Sequence, residues 1–467
     1  MADLLKIGFG LITFIHAGAL IQKVLGMDRL TGRIGQIGLS ISLGTGGIAY
    51  GLFLLNVTGI TLTPAIILAV ALVGNALAIV MIWIPILKRK WNPFQFDRLN
   101  GFQKILIGLI LLVVLFILAD ALSVHLNTYD SRAMWGLKSK ILYTEGTLQT
   151  DAFLNADRMH VQRDYPLLVP YAETFLYFLL GRADDRLVKL LFPLLFLSLL
   201  CWIYAVLHVN SGRTRALIWT GVLALCPCYT LFTAGGVNSG MADVPLSVFV
   251  SISILSIYLW FQKHDVRWIL VASLGAGFAL FTKKEGLALF LISVLVFSLL
   301  TGFKSERSIP RRIGNLLVFA GISVLMYIPW TAFTAQLPDT FEVSHVSPAR
   351  IFQGFERIPI ILVYGFQEVI LRMYRWNIFW MSFFLACILS FRSLFRMPRL
   401  FPILVMVSYS AVVWIPLITT PIPVNEILPS VMTRLFMHLL PIALIVMQGQ
   451  IHDILSERRL SEDHVES

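Results

Sequence analysis

Charge is scarce in this chain: Asp, Glu, Lys and Arg make up 13% of 467 residues, against 57% hydrophobic side chains and a mean hydropathy of +0.80. Soluble domains carry about 25% charged residues, so that class is excluded and an integral membrane protein is implied. Cysteine is equally sparse. Cys201, Cys226, Cys228 and Cys387 lie in or beside apolar runs, which reads as core packing and argues against a disulfide framework or a zinc site. No Gly-x-x-x-x-Gly-Lys-Ser/Thr phosphate loop occurs, so nothing marks a nucleotide site. Low-complexity runs, obvious repeats and a soluble domain are lacking too. The first residues have no charged leader and no small-residue cleavage site, so they read as a retained span. Acidic residues are outnumbered 26 to 37, giving a formal charge of +11. The basic excess gathers in short connectors between apolar runs. That pattern orients a membrane protein and is not a nucleic-acid footprint.

What the chain does have is apolar runs. They fall near 4–22, 36–56, 65–87, 103–123, 187–207, 215–233, 244–262, 267–282, 286–302, 313–335, 376–391, 399–419 and 433–449. A span needs about 20 such residues to cross about 30 Å, so the expectation is an all-α polytopic membrane protein with about 13 transmembrane helices. The connectors Lys23 to Arg33, Lys88 to Lys104, Asn210 to Arg215, Phe303 to Arg312 and Phe391 to Arg399 are basic and are expected inside, as is the tail 450–467. Two inside connectors must be separated by an even number of crossings. Residues 167–181 are short and carry Glu173, and counting them as a crossing would put several arginines outside. They are therefore read as an interfacial or re-entrant helix. Residues 1–102 read as an N-terminal extension of three spans.

One stretch, residues 124–166, is strongly polar. In it Asp130-Ser131 precede a pattern that sets Met134, Leu137, Ile141 and Leu142 on one helical face while Arg132, Lys138 and Lys140 leave it, and Gly146 stops the helix. This topology gathers 124–186, the Gly-rich stretch ending at Pro245, the turn at 282–286, the loop 336–375 and the stretch ending at Arg434 on the outer side. The candidates for chemistry lie there. Asp130 is either a helix N-cap or a general base for an acceptor hydroxyl. Asp164, before Tyr165-Pro166, is either paired with Arg163 or placed to position an acceptor. With Asp130 it would offer the hard oxygens that suit a divalent cation, magnesium, calcium or manganese, although no Asp-x-Asp pair is present. Asp243 heads a span, where an acidic residue caps a helix or lines a site. Lys283 and Lys284, followed by Glu285, violate the charge bias outside, and Arg434 and His438 share a helical face. Together they read either as snorkelling side chains or as a site for an anion.

The ordered set YDSRAMWGLKSKILYTEG, RDYPLLVPYAETFLYFLLG, GMADVPLSVF, FTKKEGLALF and TRLFMHLLP resembles the membrane-embedded GT-C class of glycosyltransferases. The likeness is to bacterial relatives of protein O-mannosyltransferases and to the aminoarabinose transferase acting on lipid A, over roughly 103–449. The resemblance implies a sugar donor on a polyprenyl phosphate and a catalytic acid soon after a span, matched by Asp130. Where relatives often carry an Asp-Glu pair, this chain has Asp130-Ser131. It further implies that Asp164 and Tyr165 help line the site and that Lys283, Lys284 and Arg434, with His438 a turn beyond, hold the donor phosphate. The expected reaction is inverting transfer to a hydroxyl on a lipid, glycan or protein, at the outer face of a bacterial cytoplasmic membrane. Two rivals remain at this stage. One is a polysaccharide polymerase or ligase centred on His345, Arg350, Arg357 and Arg375; the other is a transporter, for which charges at mid-bilayer and two related halves would be expected.

Overall fold

A computed structural model describes residues 1–27, 30–88, 98–155, 162–231, 235–304, 309–338 and 348–466. His345 lies outside the described residues. The described chain is helical, without strands. Ten of its helices are long and apolar enough to cross a membrane. Those used below are α1 (Ala2–Val24), α2 (Arg33–Val57), α3 (Pro64–Lys88), α4 (Gly101–Ser123), α5 (131–145, a π-helical turn followed by Leu137–Glu145), α6 (Leu168–Leu180), α7 (Val188–Ser211), α8 (Arg213–Ala224), α9 (Asp243–Lys263), α10 (Val266–Leu280), α11 (Glu285–Lys304), α12 (Ile309–Thr334), α13 (Ile358–Phe366), α14 (Phe379–Leu389), α15 (Leu400–Thr419) and α16 (Val424–Glu466).

Three of the thirteen expected spans are shorter than their apolar runs. The run 215–233 stops as a helix at Ala224 because Pro227 follows, while α10 and α14 have 15 and 11 residues. At about 1.5 Å per residue none of these matches about 30 Å alone. The 13-residue α6 is also too short, in keeping with its reading as a partial span, and it is packed almost wholly inside protein.

The centre of the molecule is α9, buried at every position from Asp243 to Trp260 and packed on α7, α10 and α16. Its N-terminus therefore points a carboxylate into protein. The helices α1 and α2 are integrated into this bundle. α2 lies against α7, α6 and α1, and glycines make the approach: a Cβ at Gly44 would stand 1.7 Å from the Phe14 carbonyl oxygen, and one at Gly18 1.8 Å from that of Ser40. Small residues let membrane helices meet backbone to backbone. Gly44→Val is thus expected to destabilise the fold by at least the ~1–3 kcal/mol of ordinary overpacking, read as a lowered Tm in detergent.

Candidate active site

The π-helical turn that opens α5 carries Asp130 at its N-cap, yet its carboxylate caps nothing. Thr128 takes that task, its hydroxyl accepting the Ser131 N–H at 3.2 Å. The Asp130 carboxylate is 27% exposed and meets Arg434 of α16, Oδ2 to Nη1 3.0 Å. Arg434 turns its Nε to Asp243 Oδ2, also at 3.0 Å. One guanidinium thus bridges the polar loop and the head of the central helix.

Asp243 is fully buried and does not cap α9 either. Its second oxygen, Oδ1, accepts from Lys283 Nζ at 2.8 Å and lies 3.2 Å from His438 Nε2. Lys283 also reaches Glu285 Oε1 at 2.8 Å, and His438 Nδ1 stands 3.3 Å from the Tyr409 hydroxyl. Removing any one cation would leave a buried carboxylate under-compensated. Gly235 makes room for the bridge: at φ +92 it is in the left-handed region, and a Cβ there would stand 2.9 Å from Arg434 Cγ.

Asp130, Asp243, Lys283, Arg434 and His438 are therefore brought together. Asp164, Tyr165 and Lys284 form a neighbouring group. Asp164 pairs with Lys284 where the sequence offered Arg163, and the Lys284 ammonium sits 4.8 Å over the Tyr165 ring. The two adjacent lysines thus point to different partners. As divalent-cation ligands, Asp130 and Asp164 fit poorly, since each is already matched by a cation, Arg434 and Lys284. Among the described residues no group of three His, Cys, Asp or Glu side chains is placed to hold a metal ion.

Two members of the site were not singled out from sequence. Glu285 was noted only as a partner for the lysines; its signal is the unusual Lys-Lys-Glu between two spans. Tyr409 is one tyrosine in an apolar run and gave no signal.

One expectation about the loop is corrected. Lys138 does not leave the protein surface of α5; it is fully buried, donating to the carbonyls of Gln162 at 2.6 Å and Tyr165 at 3.3 Å. The turn carrying Asp164 offers carbonyls that only a buried donor can satisfy. Burial pushes the Lys138 ammonium down to about 7, with Asp164 opposing and Lys284 adding to the shift. The unfolded chain keeps that proton up to the ordinary lysine value of 10.5, so stability rises with pH from about 7 to about 10. Glu173 works the other way: burial raises it to about 8 despite the Ser139 hydroxyl, so its contribution falls between 4.5 and about 8. Above about pH 8 the Glu173 contribution no longer changes while that of Lys138 still rises. Lys138→Met is expected to flatten the rise in Tm between pH 8 and 10, measured by thermal unfolding in detergent.

Two cavities are lined by residues that neighbour the cluster or belong to it. A polar one of about 170 Å³ is walled by Asp120, Asn127, Thr128, Lys189, Asn238 and Ser239. Its wall includes Thr128, which caps the turn that carries Asp130, but not Asp130 itself. An apolar groove of about 540 Å³ runs between α13, α14, α15 and α16, with Tyr409 in its wall. The spacing of α16 puts Met432, Leu435, Phe436 and Leu439 on the groove face and Arg434 and His438 on the opposite face. The Tyr409 to His438 contact links the two.

The arrangement offers a partly exposed carboxylate fixed by an arginine, with a polar cavity reached through Thr128 and an apolar groove reached through Tyr409. No curated protein and no solved structure matches the chain. Residues 164–332, a little over a third of the chain, match the family model for dolichyl-phosphate-mannose-protein mannosyltransferase. The match contains Asp164, Tyr165, Asp243, Lys283, Lys284 and Glu285, while Asp130, Arg434 and His438 fall outside it and join the site through the ion pairs above. Over that segment this polytopic helical membrane chain is thus similar to the dolichyl-phosphate-mannose-protein mannosyltransferase family, in keeping with the GT-C resemblance of its sequence.

Proposed function

We propose that the protein is an inverting glycosyltransferase that moves a sugar from a polyprenyl-phosphate donor to an acceptor hydroxyl at the extracytoplasmic face of a bacterial cytoplasmic membrane. The observation that carries the reading is Asp130. It has no structural hydrogen bond to make within its own helix, it is open to the outside of the protein, and Arg434 fixes its direction. Such a carboxylate suits a general base.

In this mechanism Asp130 takes the proton of the acceptor hydroxyl. The freed oxygen bonds to the anomeric carbon from the face opposite the phosphate, through an oxocarbenium-like transition state. The bond from that carbon to the phosphate oxygen breaks, and the phosphate leaves with the electron pair. A phosphate needs no proton to depart, so one carboxylate suffices. Arg434 orients Asp130, its charge already shared between Asp130 and Asp243, and Lys284 stands at the rim as a cation on the side of the reacting sugar. Lys283 and His438 act through Asp243, holding the carboxylate that holds Arg434. Asp164 and Tyr165 line the acceptor side, and the polar cavity walled by Thr128 and Asn238 receives sugar or acceptor hydroxyls. The prenyl chain takes the apolar groove. The acceptor is a lipid, a glycan or a protein hydroxyl. The outer placement is supported by the basic connectors, which the positive-inside bias puts on the opposite side.

The test is transfer in proteoliposomes holding the purified protein. Radiolabelled sugars are supplied either on polyprenyl phosphate or as nucleotide sugars, and the anomeric configuration of the product is read by NMR. Transfer from the lipid donor alone with inverted configuration is expected. Transfer from a nucleotide sugar without lipid, or retention of configuration, contradicts the reading.

A further inference from the structure

The charges around Asp243 pose a problem for an incoming phosphate. Lys283 and Arg434 are two cations against the three carboxylates of Asp130, Asp243 and Glu285. An anion entering there finds no spare positive charge. A spare charge does exist at the groove. Glu368, fully buried on the turn after α13, accepts from Arg372 Nη1 at 2.7 Å and from Arg375 Nη1 at 3.0 Å. Two guanidiniums thus share one carboxylate and leave one positive charge over. Their side chains are 24% and 18% exposed, and Arg375 Nε is buried without a hydrogen-bond partner.

The pair also sits beside the groove. Val369 and Ile370, the two residues after Glu368, are in the groove wall. Arg372 is steadied by Tyr364, whose hydroxyl it donates to at 2.6 Å. Arg375 and Glu368 both bond Thr433, which lies on α16 between Met432 of the groove and Arg434 of the cluster. A compact anionic head beside a long apolar channel is the chemistry of a single-chain lipid phosphate. The phosphate of a prenyl-phosphate sugar has two free oxygens to offer two guanidinium forks and brings one apolar chain to the groove, where a phospholipid brings two; the sugar-free prenyl phosphate, a monoester, offers three.

We propose that Arg372 and Arg375 receive the phosphate of the prenyl-phosphate ligand, with the chain in the groove past Gly365, and that Thr433 sets this site next to Arg434. The inference rests on the lipid-phosphate donor reading above and adds a phosphate site apart from the Asp243 cluster.

The test is equilibrium binding of sugar-free undecaprenyl phosphate to the full chain in phosphatidylcholine nanodiscs, which needs no turnover. Arg372→Gln and Arg375→Gln are expected to raise Kd roughly 10–100-fold, the loss of one charge-assisted contact. A Cβ at Gly365 meets no atom within 4 Å, so Gly365→Phe extends into the groove without disturbing the arginines, and it is expected to weaken binding as well. Neutral polyprenol should compete poorly. Wild-type Kd in both arginine variants, with wild-type Tm, overturns the assignment and leaves the transferase reading standing. Equal competition by phosphatidylglycerol also overturns it, by making the pair a general anionic-lipid contact. No binding of undecaprenyl phosphate by the wild type overturns both this site and the lipid-phosphate donor.

Discussion

Asp130→Asn is expected to lower sugar transfer by about 10²–10⁴-fold, the usual worth of a positioned general base, with the Kd for the lipid donor little changed. The amide keeps the size of the carboxylate and still offers an oxygen to Arg434, which now stands 3.0 Å away. Folding should therefore hold. What is lost is the ability to take a proton. The fall should appear in kcat and kcat/KM together, because the interaction is made with the reacting hydroxyl in the transition state. Single-turnover transfer with donor preloaded is the measurement that separates this from a defect in binding.

Arg434 carries the second large expectation. Arg434→Lys retains the charge but offers one point donor where the guanidinium uses two edges, Nη1 toward Asp130 and Nε toward Asp243. A lysine can hold only one of them well. Releasing Asp130 from its direction is expected to cost roughly 10²-fold in kcat, the scale of an ångström of misplacement at a reacting centre. Arg434→Ala should be worse and should also destabilise the fold by about 3 kcal/mol, the lower end for stripping a partner from a buried charge, since Lys283 and His438 still hold Asp243. Comparing Tm and transfer rate across the two variants distinguishes a positioning role from a purely structural one. The lysine protein should keep most of its stability and lose its rate.

Much of this site could be read from the chain because charge is so rare in it. Asp130 is legible in the polar stretch 124–166, and Asp243, Lys283, Arg434 and His438 are legible as polar residues at or near the ends of apolar runs; the fold brings them together. The reading failed where local pattern competes with tertiary contact. Asp130 and Asp243 both look like helix caps, and only the cross-chain distances show that each faces Arg434 instead. Lys138 has the position of a surface lysine on α5, but the carbonyls of Gln162 and Tyr165 draw it inside. The adjacent pair Lys283-Lys284 reads as one anion site, yet successive residues in the turn diverge, one to Asp243 and one to Asp164. Glu368 gives no signal within the loop 336–375, since a carboxylate there is informative only once Arg372 and Arg375 are known to meet it. Span lengths failed for a related reason. Hydropathy continues through Pro227 although the α8 helix cannot.

The most direct test of the account is transfer from a radiolabelled polyprenyl-phosphate sugar by wild type and Asp130→Asn, in proteoliposomes with matched protein and with donor binding measured in the same samples. The account predicts robust transfer by the wild type and less than about one hundredth of that rate in the variant with donor still bound. Equal rates in the two proteins would contradict it.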